Sequence, residues 1–193
     1  TGVHFASEPA TFGPATANCM ICVTPDGERT MATYLGACGH VTSHDIDETL
    51  IGHSQILYIE GYLWDSEAAK TAIRKAIRIA KINGCKVAFT LSDAFCVHRH
   101  RDEFALLLED SIDILFANEQ EIKTQFNTTE LDQAIAHLQH LNVLAAITRS
   151  EKGSVVITQD QVETVATQPV LNVLDTTGAG DLFAAGFLFG LTR

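Results

Sequence analysis

From Gln55 onward, short apolar runs alternate with longer stretches in which apolar residues return every three or four positions. The first pattern is that of buried strands and the second that of amphipathic helices. Residues 55–60, 86–91, 113–117 and 143–148 read as strands. Ala69, Ala72, Ile73, Ala76, Ile77 and Ala80 form one helical face, and Leu131, Ala134, Ile135 and Leu138 another. Asp65 or Ser66 can cap the first of these helices and Gly84 can end it. Lys70, Arg74 and Arg78 follow at i+4 spacing and read as its solvated face. The cluster His98-Arg99-His100-Arg101 is expected to open a helix running to Glu109, from which Arg99 or Arg101 could reach an anion. Residues 154–158 and 162–166 predict two more strands across Gln159-Asp160-Gln161. Strands alternating with helices predict an α/β domain with a mainly parallel sheet. Upstream, residues 16–24 and 29–35 are extended and are joined across Pro25-Asp26-Gly27-Glu28, a hairpin turn.

The densest chemistry lies in Asp175-Thr176-Thr177-Gly178-Ala179-Gly180-Asp181, followed by the apolar run 182–188. A strand-like segment at 170–174 precedes it and a helix follows. This order puts the amides of Gly178, Ala179 and Gly180 at a helix N-terminus, where unpaired donors and the helix dipole favour an anion such as phosphate. Asp181 stands beside that site as a carboxylate suited to taking a proton from an attacking hydroxyl. Phe183 occupies the place of the third glycine of a dinucleotide fingerprint, and no Gly-Lys pair exists to make a Walker loop.

The string from Asp175 to Leu188 resembles the second signature of the ribokinase-like (pfkB-type) carbohydrate and nucleoside kinases. The resemblance implies a three-layer α/β/α domain, with the hairpin as remnant of a small β lid over the acceptor. Residues 12–36 would hold the lid hairpin and residues 37–193 the α/β core. It also implies ATP and Mg²⁺ as cofactors, with K⁺ a candidate monovalent cation. In its terms Asp181 is the catalytic base, Gly178, Ala179 and Gly180 form the anion hole, and Asp175 and Thr177 help hold the monovalent cation. Asn118-Glu119-Gln120-Glu121 matches the family's N-x-x-E motif, with Asn118 and Glu121 positioning Mg²⁺ through water. The alternative for that segment is a helix start whose acidic residues suit the dipole. Thr148 and Gly153 match two positions of T-x-G-x-x-G and imply nucleotide contacts, whereas Ser150 stands where a glycine is usual. Glu60 and Asp93, at strand ends, are candidate acceptor contacts, Asp93 equally a helix or loop cap. The phrases Thr90-Leu91-Ser92-Asp93 and Ile147 to Gly153 look most similar to bacterial adenosine-kinase-like members. A sugar, another nucleoside or a non-catalytic binding module of the same fold remain open. By the same comparison the chain reads as a fragment that can be inactive on its own.

Composition narrows the partners. The 193 residues are 46% hydrophobic and carry a net charge of −11, which argues against a nucleic-acid surface. Five cysteines, no signal peptide and no apolar run of roughly eighteen residues point to a reduced, cytoplasmic protein away from the membrane. Cys19 and Cys22 are spaced C-x-x-C, but in a strand they face opposite sides. The hairpin's unpaired edges leave a homodimer open.

Overall fold

The computed structural model describes residues 2–5, 7–27, 29–170 and 173–193. A two-stranded antiparallel hairpin comes first, β1 (Asn18–Val23) pairing with β2 (Arg29–Tyr34) from Asn18 opposite Tyr34 to Val23 opposite Arg29. Cys19 and Cys22 are both exposed and lie opposite Thr33 and Thr30. A short helix α1 (Glu48–Gly52), capped by Asp47, leads to the main body.

That body is a six-stranded sheet in sequence order: β3 (Ile56–Glu60), β4 (Lys86–Thr90), β5 (Ile114–Asn118), β6 (Leu144–Thr148), β7 (Ser154–Ile157) and β8 (Val162–Val165). The first four pair in parallel, β7 pairs antiparallel with β6, and β8 pairs antiparallel with β7. The parallel strands are joined by α2 (Glu67–Ile82), α3 (Ala94–Asp110), and the pair α4 (Glu119–Gln125) and α5 (Leu131–Gln139). Right-handed crossovers between strands in sequential order put all of these helices on one face. The main core accordingly joins Ile73, Ile77, Val97, Phe104, Ile122 and Leu138 to Val87, Phe89, Leu115, Ala145 and Ile147. Trp64 and Phe89 both meet Phe104 edge-on, with centroids 6.1 and 5.0 Å away. The other face carries α6 (Ala179–Leu191), which packs Ala184, Phe183, Phe187 and Leu188 on Ala88, Ile114, Phe116 and Ala146. Helices thus flank a mostly parallel sheet, the expected layering.

Several local expectations change. Ser66, not Asp65, caps α2, accepting from the Ala69 amide at 3.4 Å, while Asp65 binds Arg99 through two hydrogen bonds of 3.0 and 2.8 Å. Arg99 therefore has a carboxylate partner within the fold. Lys70, Arg74 and Arg78 are not one solvated face. The Lys70 side chain is 9% exposed and its Nζ lies 2.7 Å from Glu103. Arg74 binds the same carboxylate and sits 5.2 Å above the Trp64 indole; of the three, Arg74 and Arg78 are exposed. Spacing alone hid this, because the partner carboxylate arrives from α3. That helix starts at Ala94 rather than His98, and His100 interrupts it with φ −122° and ψ 16°. Of the strand expected at 170–174, residues 171 and 172 lie outside the described residues, and Val170, Val173 and Leu174 are in no strand.

Candidate active site

The four parallel strands bring their carboxyl ends to one edge of the sheet, the place where ligands gather in open α/β folds. Glu60 ends β3 opposite Thr90, and Asn118 ends β5 opposite Thr148. Alternation along β3 puts Tyr58 and Glu60 on the α6 face, with Leu57 and Ile59 turned to the main core. The first turn of α6 carries Asp181 to this corner. Its charge is felt there: partial burial raises the Glu60 carboxyl above the ordinary range and Asp181 raises it further. Burial, Glu60 and Asp181 together push the Tyr58 phenol up to about 12. The fold therefore joins Asp181 to Glu60, two residues that the sequence keeps far apart.

The turn before α6 is built by its own short-range bonds. Gly178 is the N-cap residue at φ +74°, a left-handed conformation that suits glycine, and no side chain caps the helix. The Ala179 amide donates to the Thr176 carbonyl at 3.2 Å. An anion recruits that amide only by opening the turn, whereas the amides of Gly178 and Gly180 make no such bond among the described residues. Asp175 Oδ1 accepts from the Thr177 amide at 2.8 Å. Bonds from the Thr177 hydroxyl and amide, with Arg29 nearby, hold the Asp175 carboxyl below its usual range. Asp175 and Thr177 thus form one small oxygen-rich unit.

Arg29 went unnoticed in the sequence. Its Nη1 donates to the Thr176 hydroxyl at 2.6 Å, and a Cβ on Gly27 would stand 3.3 Å from the Val173 carbonyl. The hairpin turn therefore rests on the loop that opens α6. No local pattern marks such a contact; only the tertiary fold creates it.

Asn118 and Glu121 close a capping box at the start of α4. Asn118 Oδ1 accepts from the Glu121 amide at 2.8 Å, while Glu121 accepts from the Asn118 amide at 2.9 Å and from Asn118 Nδ2 at 2.6 Å. Of the two readings of this segment, the structure shows the capped helix start. Each carboxylate oxygen already accepts one bond, so its remaining lone pairs suit a cation that keeps its waters, as Mg²⁺ does. Among the described residues no group of three or more His, Cys, Asp or Glu is arranged to hold a metal ion. Glu121 is buried, which raises its carboxyl, and Asp93 raises it further. Asp93 itself caps α3, accepting from the Cys96 amide at 2.6 Å.

Thr148 and Gly153 flank the β6–β7 turn. The Arg149 amide donates to the Gly153 carbonyl at 2.8 Å, and Arg149 Nε to Glu119 at 3.1 Å. Ser150 takes φ +50°, so the serine adopts the conformation that the family's glycine would find easier. Gly153, at φ +84°, leaves no room for a Cβ, which would lie 2.1 Å from the Val165 carbonyl. Two shallow concavities lie elsewhere, one of about 430 Å³ between α2 and α3 and one of about 310 Å³ bordered by Glu119, Lys123 and Arg149. Neither is lined by Glu60, Asn118 or Asp181.

Comparison with known proteins agrees with this layout. The model of the pfkB family carbohydrate kinases matches residues 2–193. Adenosine kinase of Saccharomyces cerevisiae is 27% identical over 192 residues, covering 92% of this chain and 55% of that protein. The crystal structure of adenosine kinase from Sinorhizobium meliloti is 49% identical and superposes with a TM-score of 0.96, over 99% of this chain and 59% of that one. A putative ribokinase II of E. coli, solved in complex with ATP and Mg²⁺, is 25% identical with a TM-score of 0.80, over 91% of this chain and 57% of that one. The chain spans about half the length of the curated relatives it matches. Signature loop, strand order and family match coincide: the chain belongs to the pfkB family of carbohydrate kinases.

Proposed function

We propose that this chain carries the phosphoryl-transfer half of an ATP-dependent kinase acting on a primary hydroxyl of a sugar or nucleoside. The observation that carries the reading is Asp181 in the first turn of α6, beside Gly178 to Gly180 and electrostatically coupled to Glu60 at the carboxyl edge. Asp181 takes the acceptor's hydroxyl proton as its oxygen attacks the γ-phosphorus, and the bond from that phosphorus to the β,γ-bridging oxygen breaks to release ADP. The Gly178 and Gly180 amides, joined by Ala179 once the Thr176 bond opens, bind the charge that grows on the phosphoryl oxygens. Glu60 and Asp93 contact the acceptor, and Thr148 and Gly153 line the nucleotide side. When bound, Mg²⁺ neutralises phosphate charge; Asn118 and Glu121 are the residues that would hold its waters, and Asp175 with Thr177 would hold a monovalent cation such as K⁺. The hairpin of β1 and β2 covers the acceptor and excludes water, and Arg29 links it to the loop before α6.

The test is phosphoryl transfer by the full-length protein with ATP, Mg²⁺ and K⁺, offered adenosine, ribose, fructose and 2-keto-3-deoxygluconate in parallel. Turnover of one acceptor supports the reading and names the substrate. ATP binding with no acceptor phosphorylated would contradict it and favour a binding module.

A further inference from the structure

Glu119 has no part in the mechanism above, yet it ties together two segments that do. Asn118 at the end of β5 pairs with Thr148 at the end of β6, so Glu119 and Arg149 leave the sheet side by side. Glu119 opens α4 between the two residues of the capping box, and Arg149 opens the turn that runs to Gly153. Arg149 Nε donates to Glu119 Oε2 at 3.1 Å, while Lys123, one turn further along α4, donates to Glu119 Oε1 at 2.6 Å. The three side chains are only 21–26% exposed, so solvent and salt screen them less than an open surface pair. Bonds from Lys123 and Arg149 hold the Glu119 carboxyl below its usual range, which keeps it ionised at neutral pH.

The turn has reason to need this tie. Two of its residues are left-handed, Ser150 at φ +50° and Gly153 at φ +84°, and for serine that conformation is strained. Such strain persists where the surroundings over-determine the backbone. On one side stands the end of β8, packed so closely on Gly153 that a Cβ there would meet the Val165 carbonyl. Within the turn, the Arg149 amide donates to the Gly153 carbonyl at 2.8 Å and the Gly153 amide to the Ser150 carbonyl at 3.1 Å. On the other side stands α4. Among the described residues, the bond from Arg149 to Glu119 is the one side-chain hydrogen bond that joins residues 149–153 to another element.

We propose that Glu119 is a positioning residue of the nucleotide side: through Arg149 it clamps the Thr148 to Gly153 turn to the first turn of α4, beside Asn118 and Glu121. The inference rests on the nucleotide role given above to Thr148 and Gly153. A ligand that needs the turn in one shape binds more weakly in proportion to the time the turn spends outside it. Loss of the clamp therefore appears in nucleotide affinity before it appears in the chemical step.

The experiment uses the full-length protein, its Glu119→Gln and Arg149→Gln variants and the double variant. Calorimetric titration gives the MgATP Kd without an acceptor, hydrogen exchange gives the protection of the Arg149 and Gly153 amides, and thermal melts verify the fold. Each single variant is expected to weaken MgATP binding roughly five- to thirtyfold, an ordinary range for coupling between two sites, and to speed exchange of both amides. On the acceptor that the parent phosphorylates, kcat at saturating MgATP falls far less than Kd rises. The double variant binds no worse than the weaker single one, because one pair carries both effects. Either single variant decides alone if the other does not fold. A MgATP Kd within about twofold of the parent, or losses that add in the double variant, would overturn the inference. A parent that binds no MgATP refutes the nucleotide reading of the turn instead; the clamp is then judged by amide exchange, and unchanged exchange in the variants overturns it as well.

Discussion

Replacing Asn118 by alanine separates what the N-x-x-E segment does for the fold from what it does for the reaction. The substitution removes the N-cap of α4, whose Oδ1 holds the Glu121 amide at 2.8 Å; losing such a cap costs about 0.5–2 kcal/mol. It also takes away the Nδ2 donor lying 2.6 Å from the Glu121 carboxylate. Glu121 is 6% exposed, so an oxygen left without its donor costs about 1–3 kcal/mol more. Because both losses fall on one capping box they overlap, and a total of about 2–4 kcal/mol is expected. The sign of the pH dependence follows from the direction of the Glu121 shift. Burial raises its carboxyl in the folded state, so its contribution to stability is fullest below the ordinary carboxylate range and is lost as pH rises through the raised value. The Asn118 bonds work against that rise by favouring the ionised form. Without the side-chain bond the penalty therefore grows with pH. Urea unfolding of the full-length parent and Asn118→Ala at pH 5 and pH 8 reads both quantities, with the larger loss at pH 8. A loss under about 0.5 kcal/mol at both pH values would refute the reasoning, as would a larger loss at pH 5.

Three further substitutions probe the supporting frame. Gly153→Ala brings a Cβ to within 2.1 Å of the Val165 carbonyl at φ +84° and is expected to cost about 3 kcal/mol or more. Gly84→Ala, at φ +72° with open space around it, costs only about 1 kcal/mol; thermal melts compare the two directly. Lys70→Met leaves Glu103 without its 2.7 Å partner and is expected to cost about 1–3 kcal/mol at neutral pH, with Glu103 partly screened by solvent. Lys70 holds the Glu103 carboxyl below its ordinary range, so this stability is present above the unfolded carboxylate pKa and fades as pH falls through the folded one. The difference between parent and variant should shrink in acid, as chemical denaturation near pH 3.5 and pH 7 would reveal.

What the sequence disclosed is what depends on neighbours along the chain. Strand and helix order followed from apolar spacing, because each element buries one stripe or face. The signature loop was legible because its turn needs small residues at fixed positions, and the structure shows Gly178 in the left-handed conformation such a turn requires. The misreadings of Lys70 and Arg99 share one cause, a partner supplied by another element. Lys70 looked solvated until Glu103 came across from α3. Arg99 looked free until Asp65 accepted from its Nε and Nη2. Arg29 drew no notice because a lone arginine after a turn acquires meaning only from the loop before α6. Glu121 shows a subtler case: the residues that suggested a cation make a capping box.

The most direct measurement is kcat of Asp181→Asn in the full-length protein, on the acceptor that the parent phosphorylates, alongside the nucleotide Kd of both proteins. Asp181 is exposed in the first turn of α6, so the isosteric amide leaves the fold intact apart from a helix-dipole term of about 0.3–1 kcal/mol. The account predicts a fall in kcat of roughly 10²–10⁴-fold with the nucleotide Kd nearly unchanged, the usual scale of a lost general base. An Asp181→Asn protein that keeps kcat within about tenfold of the parent would contradict the assignment of Asp181 as the base.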